Sequence, residues 1–280
     1  MAEMSRIRHL LEQHIIQDLF TIVYTVVDDY LKLSHEQKRF KLPTSTQQKA
    51  SYAEIMTIAL IGELLREPHS EHWFIKVKLG FKHLFQELPH ITRYHRILKN
   101  LEGIMADFGL CLANTVDDDT VYAIDSKPLP VCRDKRRSQP RAMTEAARGF
   151  STMGATYGFK LHAVVNNAQM TCRFAIVPAN VSDPRVCQAL LNDNEDDLKR
   201  VLGDKAYVGC GVFTPPKKNT KFPVPWLKLM DSARKLIETV FSSLTRSHFL
   251  VLNQLNSFWS VRASVCRKIA AHNLGLWLGL

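Results

Sequence analysis

Three carboxylates stand where a carboxylate is costly. Asp125 closes the apolar, β-prone run Val121-Tyr122-Ala123-Ile124, Asp204 follows Arg200-Val201-Leu202-Gly203, and Glu238 interrupts Lys235-Leu236-Ile237-Glu238-Thr239-Val240-Phe241. An ionised carboxylate buried without a partner is strongly unfavourable, so each needs a cation or a hydrogen-bond donor. Oxygen ligands of this kind suit Mg²⁺, which binds a few carboxylates and fills its shell with water and substrate oxygens. Two such ions about 4 Å apart can activate an attacking oxygen and stabilise a leaving one. Each residue also has a plainer reading. A mid-helix Glu commonly faces solvent, and an Asp after a strand commonly makes a turn.

The charge around these residues separates the readings. The chain has 280 residues, with 37 Lys and Arg against 27 Asp and Glu, a net charge of +10. Residues 1–115 hold 14 basic and 13 acidic side chains, whereas residues 116–280 hold 23 and 14. The excess therefore surrounds the three carboxylates. It clusters at Arg133, Lys135, Arg136, Arg137, Arg141 and Arg148, and again at Lys217, Lys218, Lys221 and Lys228. A basic surround points to a polyanion, and acidic metal ligands inside it point to phosphodiester chemistry rather than a membrane surface.

The elements that position the carboxylates change character along the chain. Ile7, Leu10, Leu11, Ile15, Leu19, Tyr24 and Val27 recur at helical spacing. Ser51-Tyr52-Ala53-Glu54 has the form of a capping box before an apolar helix to about residue 66. An amphipathic helix is predicted over 71–86 and another, capped by Thr92, over 92–114, with a loop over 38–48. After Asp117-Asp118-Asp119, short β-prone runs replace helices: 121–125, then 159–165 and 172–177 around the turn-prone Asn166-Asn167-Ala168-Gln169, then 200–203. A helix starting at Pro184, one over 232–246 and one over 260–276 complete the pattern. The order predicts a helical domain over 1–115 and an α/β domain over 116–280.

Several classes are excluded. The six cysteines contain no C-x-x-C pair. Walker A and H-E-x-x-H motifs are missing, and Gly149 to Gly154 fails G-x-S-x-G by one residue. No secretory signal or membrane-length apolar run is present, so a cytoplasmic protein with reduced thiols is expected, without membrane partners.

The local words around the carboxylates resemble bacterial insertion-sequence transposases of the DDE class. Ala123-Ile124-Asp125-Ser126-Lys127-Pro128-Leu129-Pro130-Val131-Cys132 is similar to the first-aspartate block, and Gly203-Asp204-Lys205-Ala206-Tyr207 to the second. Arg234-x-x-x-Glu238-Thr239-Val240-Phe241 is similar to the glutamate block. Tyr157 to His162 and Pro178 to Asp183 resemble the intervening strand and turn, and the likeness spans about residues 50–275. It implies an RNase H-like mixed sheet with flanking helices after the helical N-terminal domain. It further implies Asp125, Asp204 and Glu238 as catalytic ligands of two divalent ions, Mg²⁺ or Mn²⁺. The reaction would be cleavage at the ends of an element, then attack of a 3′-hydroxyl on target DNA. Double-stranded DNA (terminal repeats and target) is the implied partner, with a homodimer on DNA and a nucleoid location.

Beyond the triad, Arg234 shares a helix face with Glu238 and can contact a phosphate or hold the glutamate. Lys127 shares a strand face with Asp125 and can reach the scissile phosphate or stay solvated; Lys205 has the same two options. Lys160 and His162 fall on one strand face, where a histidine is more often structural than a ligand. Arg133, Arg136 and Arg137 are the DNA-contact candidates of the first cluster. The glutamate block departs from many relatives, which carry a tyrosine three residues before the arginine and a lysine seven after the glutamate. Asp231 and Thr245 stand there, with Arg246 adjacent to substitute. Only 33 residues separate Asp204 from Glu238, too few for the large β insertion some relatives place there. Three functions stay open: an active transposase, a non-catalytic or domesticated DNA-binding relic, and an RNase H-like nuclease without strand transfer. The helices over 51–66, 71–86 and 92–114 are either an end reader using Arg93, Arg96 and Lys99 or a supporting bundle.

Overall fold

The computed structural model describes residues 2–42, 49–85, 87–116, 121–132, 143–151, 154–191, 200–216, 226, 228–250 and 255–280. Five helices come first: α1 (Ala2–Glu36), α2 (Tyr52–Leu64), α3 (Ser70–Gly80), α4 (Ile91–Asn100) and α5 (Glu102–Thr115). The capping box at α2 is formed. Ser51 Oγ accepts the Glu54 amide at 3.1 Å while the Glu54 carboxylate accepts the Ser51 amide at 2.6 Å. Helix α2 is apolar on every side, and its residues Ala53 to Glu63 are buried except Glu54, which places it inside the helical layer.

Two helix boundaries differ from expectation. Helix α3 stops at Gly80 instead of reaching 86, but Phe81 and Phe85 still reach the core from the turn beyond it. Their rings lie 5.2 and 5.1 Å from that of Phe20 on α1. The segment predicted as one helix over 92–114 is two, broken at Leu101. Its cap is the ring of His90, which accepts the Thr92 amide. Helix α4 also docks on later chain, with the Trp259 indole donating to Lys99 O at 2.9 Å.

The sheet contains β1 (Tyr122–Cys132), β2 (Ala147–Ser151), β3 (Gly154–Val165), β4 (Thr171–Pro178) and β5 (Val201–Leu202). Strand β3 pairs antiparallel with β1 on one edge and with β2 and then β4 on the other. Strand β5 runs parallel to β1, and Phe213 bridges parallel to Leu202 beyond it. This antiparallel trio followed by parallel additions is the RNase H-like arrangement. The expected β3–β4 hairpin forms, its turn tied by the Met170 amide to Asn166 Oδ1 at 2.9 Å.

Strand β1 runs well past Asp125, through Pro128 and Pro130. Prolines lack the ladder donor and are confined to open edges. Strand β5 pairs only with Tyr122 and Ala123, so the edge beside the prolines is open among the described residues. Strand β2 was not foreseen. Helix α6 (Asp183–Leu191) covers one sheet face, and α7 (Lys228–Arg246) with α8 (Phe258–Leu278) covers the other.

Helix α8 is shared. Its Val261, Val265 and Ile269 join the core under α7, while Cys266, Ala270, Ala271 and Leu274 join the core of the five N-terminal helices. Polar groups fix this seam. Buried Asn273 donates to Gly109 O on α5 at 2.8 Å and to Thr171 O on β4 at 2.9 Å, and accepts the Thr171 amide at 2.9 Å. Glu63 on α2, also buried, accepts from Arg267 Nε at 2.7 Å and Lys268 Nζ at 2.9 Å. Replacing Asn273 by Ala strands three buried backbone groups, which costs about 2–4 kcal/mol. Urea denaturation should show that loss in one transition covering both cores; a loss below about 0.5 kcal/mol would contradict it.

Candidate active site

The parallel pairing of β1 and β5 builds the centre of the site. Tyr122 opposes Val201 and Ala123 opposes Leu202. Continued by two residues, that register puts Asp125 beside Asp204. Each aspartate is steadied by nearby backbone. Asp125 Oδ1 accepts the Ser126 amide at 2.7 Å, and Asp204 Oδ1 accepts the Ala206 amide at 2.8 Å, capping the 3₁₀ turn Lys205–Tyr207.

Glu238 comes from α7. Ile237, Val240, Phe241 and Leu244 bury one stripe of that helix against the sheet, leaving Glu238 on the flank of the stripe. Its side chain is 58% exposed and 3.7 Å from Arg234 Nη1. The charges act on one another. Burial raises the Asp125 carboxyl to about 6, and the charges of Asp204 and Glu238 push the same way, against the Ser126 amide and Arg234. The donor chemistry, carboxylate oxygens with Asp125 under the charge of the other two, fits hard divalent cations. The geometry is open: among the described residues, no group of three or more His, Cys, Asp or Glu side chains is placed to hold a metal ion.

The other expected residues divide. Lys127 lies on the Asp125 face of β1, with Nζ 5.9 Å from the Phe241 ring centroid, and burial lowers its pKa. Arg234 is largely buried, and its Nε has no hydrogen-bond partner among the described residues. Lys205 and Arg246 are exposed, at the second aspartate and at the end of α7. Arg133, Arg136 and Arg137 lie outside the described residues, as do Lys217, Lys218 and Lys221. Asp231, where relatives carry tyrosine, accepts the Trp226 indole at 2.8 Å, and Thr245 donates to Phe241 O at 2.7 Å.

Sequence reasoning missed a second polar group, on the opposite sheet face. Lys160 and His162 share that face, as their spacing implied, and both turn toward Asp183 at the start of α6. Lys160 pairs with the Asp183 carboxylate, Ser126 Oγ lies 3.5 Å from it, and His162 Nε2 3.9 Å. His162 is fully buried, and burial lowers its pKa to about 4, which keeps it neutral. Tyr207, buried three residues after Asp204, has its hydroxyl raised by burial and by the charges of Asp125 and Asp183. The available signal was Lys160 itself, a charge between Phe159 and Leu161 that needs a partner.

A mixed sheet presenting two neighbouring aspartates, with a glutamate on the helix packed across it, defines an RNase H-like carboxylate domain. Residues 115–251 match the family model described as a transposase DDE domain. That match supports a DDE-class transposase. No curated protein and no solved structure gave a match.

Two stability measurements probe this site. Replacing Asp183 by Leu leaves Lys160 unpaired and costs about 2–3 kcal/mol, whereas adding Lys160→Met recovers most of the loss. Equal melting of the single and double variants would show that the ion pair is uncoupled. The second concerns pH. A carboxyl whose folded pKa is raised is a liability that grows as pH rises from about 4 to about 6. In metal-free buffer at pH 7, Asp125→Asn should therefore be more stable than the wild type by about 1–3 kcal/mol. The two proteins should converge near pH 4; a constant gap across that range would remove Asp125 as its source.

Proposed function

We propose that the protein is a DNA transposase that cuts at the ends of its own element and joins the freed 3′ ends to target DNA. What supports this reading is the match of residues 115–251 to the transposase DDE domain, together with the β1–β5 register that continues to Asp125 beside Asp204 and the charge of Glu238 felt at Asp125. These three residues would hold two divalent ions, Mg²⁺ or Mn²⁺. Bound there, the ions would supply an activated attacking oxygen and charge stabilisation of the leaving oxygen.

The chain's own groups would do the rest. Asp125 is mostly ionised at neutral pH and presents its carboxylate beside Asp204. Lys127, on the same face and partly withdrawn from water, sets a positive charge where a scissile phosphate would lie. Arg234 pairs with Glu238 at 3.7 Å and adds positive charge at Asp125, which would help hold the glutamate near the aspartates. Lys205, and the basic residues at 133, 136 and 137, would track the DNA backbone. A homodimer on double-stranded DNA fits an element with two ends, and α2 to α5 are the candidate readers of those ends.

A second reading is a DNA-binding relic. It is favoured by the solvent-facing Glu238 and by Asp231 and Thr245 at altered positions. One experiment separates the readings. Full-length protein is given Mg²⁺ and duplexes of the DNA flanking its reading frame, with supercoiled plasmid as target. Wild type should cut and join; Asp204→Ala should lose at least 100-fold in cutting while binding DNA within about threefold. Binding without cutting by the wild type would select the relic, and cutting without joining would select a nuclease.

A further inference from the structure

The sheet face that carries Asp125 does not end at the carboxylates. Strand β5 stops at Leu202, while β1 and β3 continue as an arm that β4 flanks as far as Phe159 and β2 widens beyond it. Register fixes what lies on each face. Asp125 opposes Ala163, Lys127 opposes Leu161 and Leu129 opposes Phe159. Further along, Arg148 opposes Tyr157 and Phe150 opposes Ala155. Tyr157, Phe159, Leu161 and Ala163 all contact the core under α7. Arg148 and Phe150 therefore share the sheet face of Asp125 and Lys127.

This end of the arm presents an aromatic ring to solvent. Phe150 is 77% exposed, and the Arg148 guanidinium carbon lies 5.0 Å from its ring centroid. The residues across from Phe150 are small: Ala155 opposite it and Gly154 beside it leave the ring uncovered. The outward aim is enforced from behind. Gly149, between Arg148 and Phe150, is buried, and a Cβ there would sit 2.1 Å from Ala179 O. Only glycine lets β2 lie this close to the end of β4, so the strand cannot rotate to bury Phe150 instead. A lone exposed apolar residue needs no explanation. A flat ring backed by a guanidinium and locked outward, on the face and charge surround of a phosphodiester site, matches a base-stacking platform.

We propose that Phe150, backed by Arg148, stacks on a nucleobase of the DNA that runs from the carboxylates along this arm. From Ala163 to Ala155 is eight residues of β3, about 27 Å at roughly 3.4 Å per residue. A DNA strand advances about 3.4 Å per nucleotide, which places the contact about eight nucleotides from the scissile phosphate. The inference rests on the transposase reading for its substrate, and it adds a binding site that the three carboxylates do not require.

The test uses the full-length protein and duplexes of the DNA flanking its reading frame. A single 2-aminopurine is placed in turn from four to twelve nucleotides on either side of the cleavage point. With wild type, fluorescence should change at least twofold at one or two neighbouring positions. Phe150→Trp should keep that change. Phe150→Ala should abolish it and weaken binding about five- to fiftyfold, with melting within a degree or two of wild type because the ring is exposed. If wild type binds but no position responds to Phe150→Ala, the proposal fails and the transposase reading stands. If Phe150→Ala alters the oligomeric state and leaves the fluorescence change intact, the ring belongs to a protein interface and the proposal also fails. If wild type binds none of these duplexes, the transposase reading fails and the platform falls with it.

Discussion

Parallel pairing of β1 with β5 brings Asp125 beside Asp204 at the end of a sheet, where burial first, and the neighbouring carboxylates after it, penalise charge on Asp125. The Ser126 and Ala206 amides each take one oxygen of an aspartate. Arg234 opposes the charge from α7. These groups reduce the penalty without cancelling it, since Asp125 still holds its proton to about 6. A site left short of positive charge is one in which divalent cations gain the most by binding. Along the sequence, the basic excess falls in residues 116–280, the part that carries the carboxylates, while residues 1–115 are nearly neutral.

The two sheet faces divide the work. One carries Asp125, Lys127 and the exposed arm. The other carries Ser126, Lys160, His162 and Asp183, knitted into a largely enclosed polar group. Because Asp125 and Ser126 are adjacent in a strand, their side chains point to opposite faces. Fixing Ser126 on the hidden face thus limits how far Asp125 can move on the open one. Glu238 pairs with Arg234 from α7 and is exposed, whereas the two aspartates are half-buried.

The sequence was most legible where a residue type conflicts with its surroundings. Asp125, Asp204, Glu238 and Lys160 are charges in apolar words, and all four lie at the sheet or on the helix packed against it. The β3–β4 hairpin and the α2 capping box were also readable, because short-range hydrogen bonds define both. Features that depend on distant partners were not. Pro128 and Pro130 argue locally against a strand, and only the open edge beside them makes one possible. Asp183 reads as an ordinary helix start until Lys160 arrives from another strand. Asn273 and Glu63 give no local sign that they join elements more than 100 residues apart. The end of α3 was misplaced because Phe81 and Phe85 keep an apolar rhythm after the helix has stopped.

Helix α8 has a consequence for how this chain can be divided. The transposase DDE match ends at residue 251, before that helix begins. Yet Val261, Val265 and Ile269 complete the core beneath α7, and the next turns of the same helix complete the N-terminal core. The two halves therefore share one structural beam instead of being joined by a linker. A fragment trimmed to the matched segment would keep Glu238 but lose α8 from the core beneath α7, the helix that carries it. Exchanging N-terminal helices between relatives would succeed only if α8 travelled with them and still fitted the sheet. The part that carries the carboxylates and the part in front of it are bound to change together.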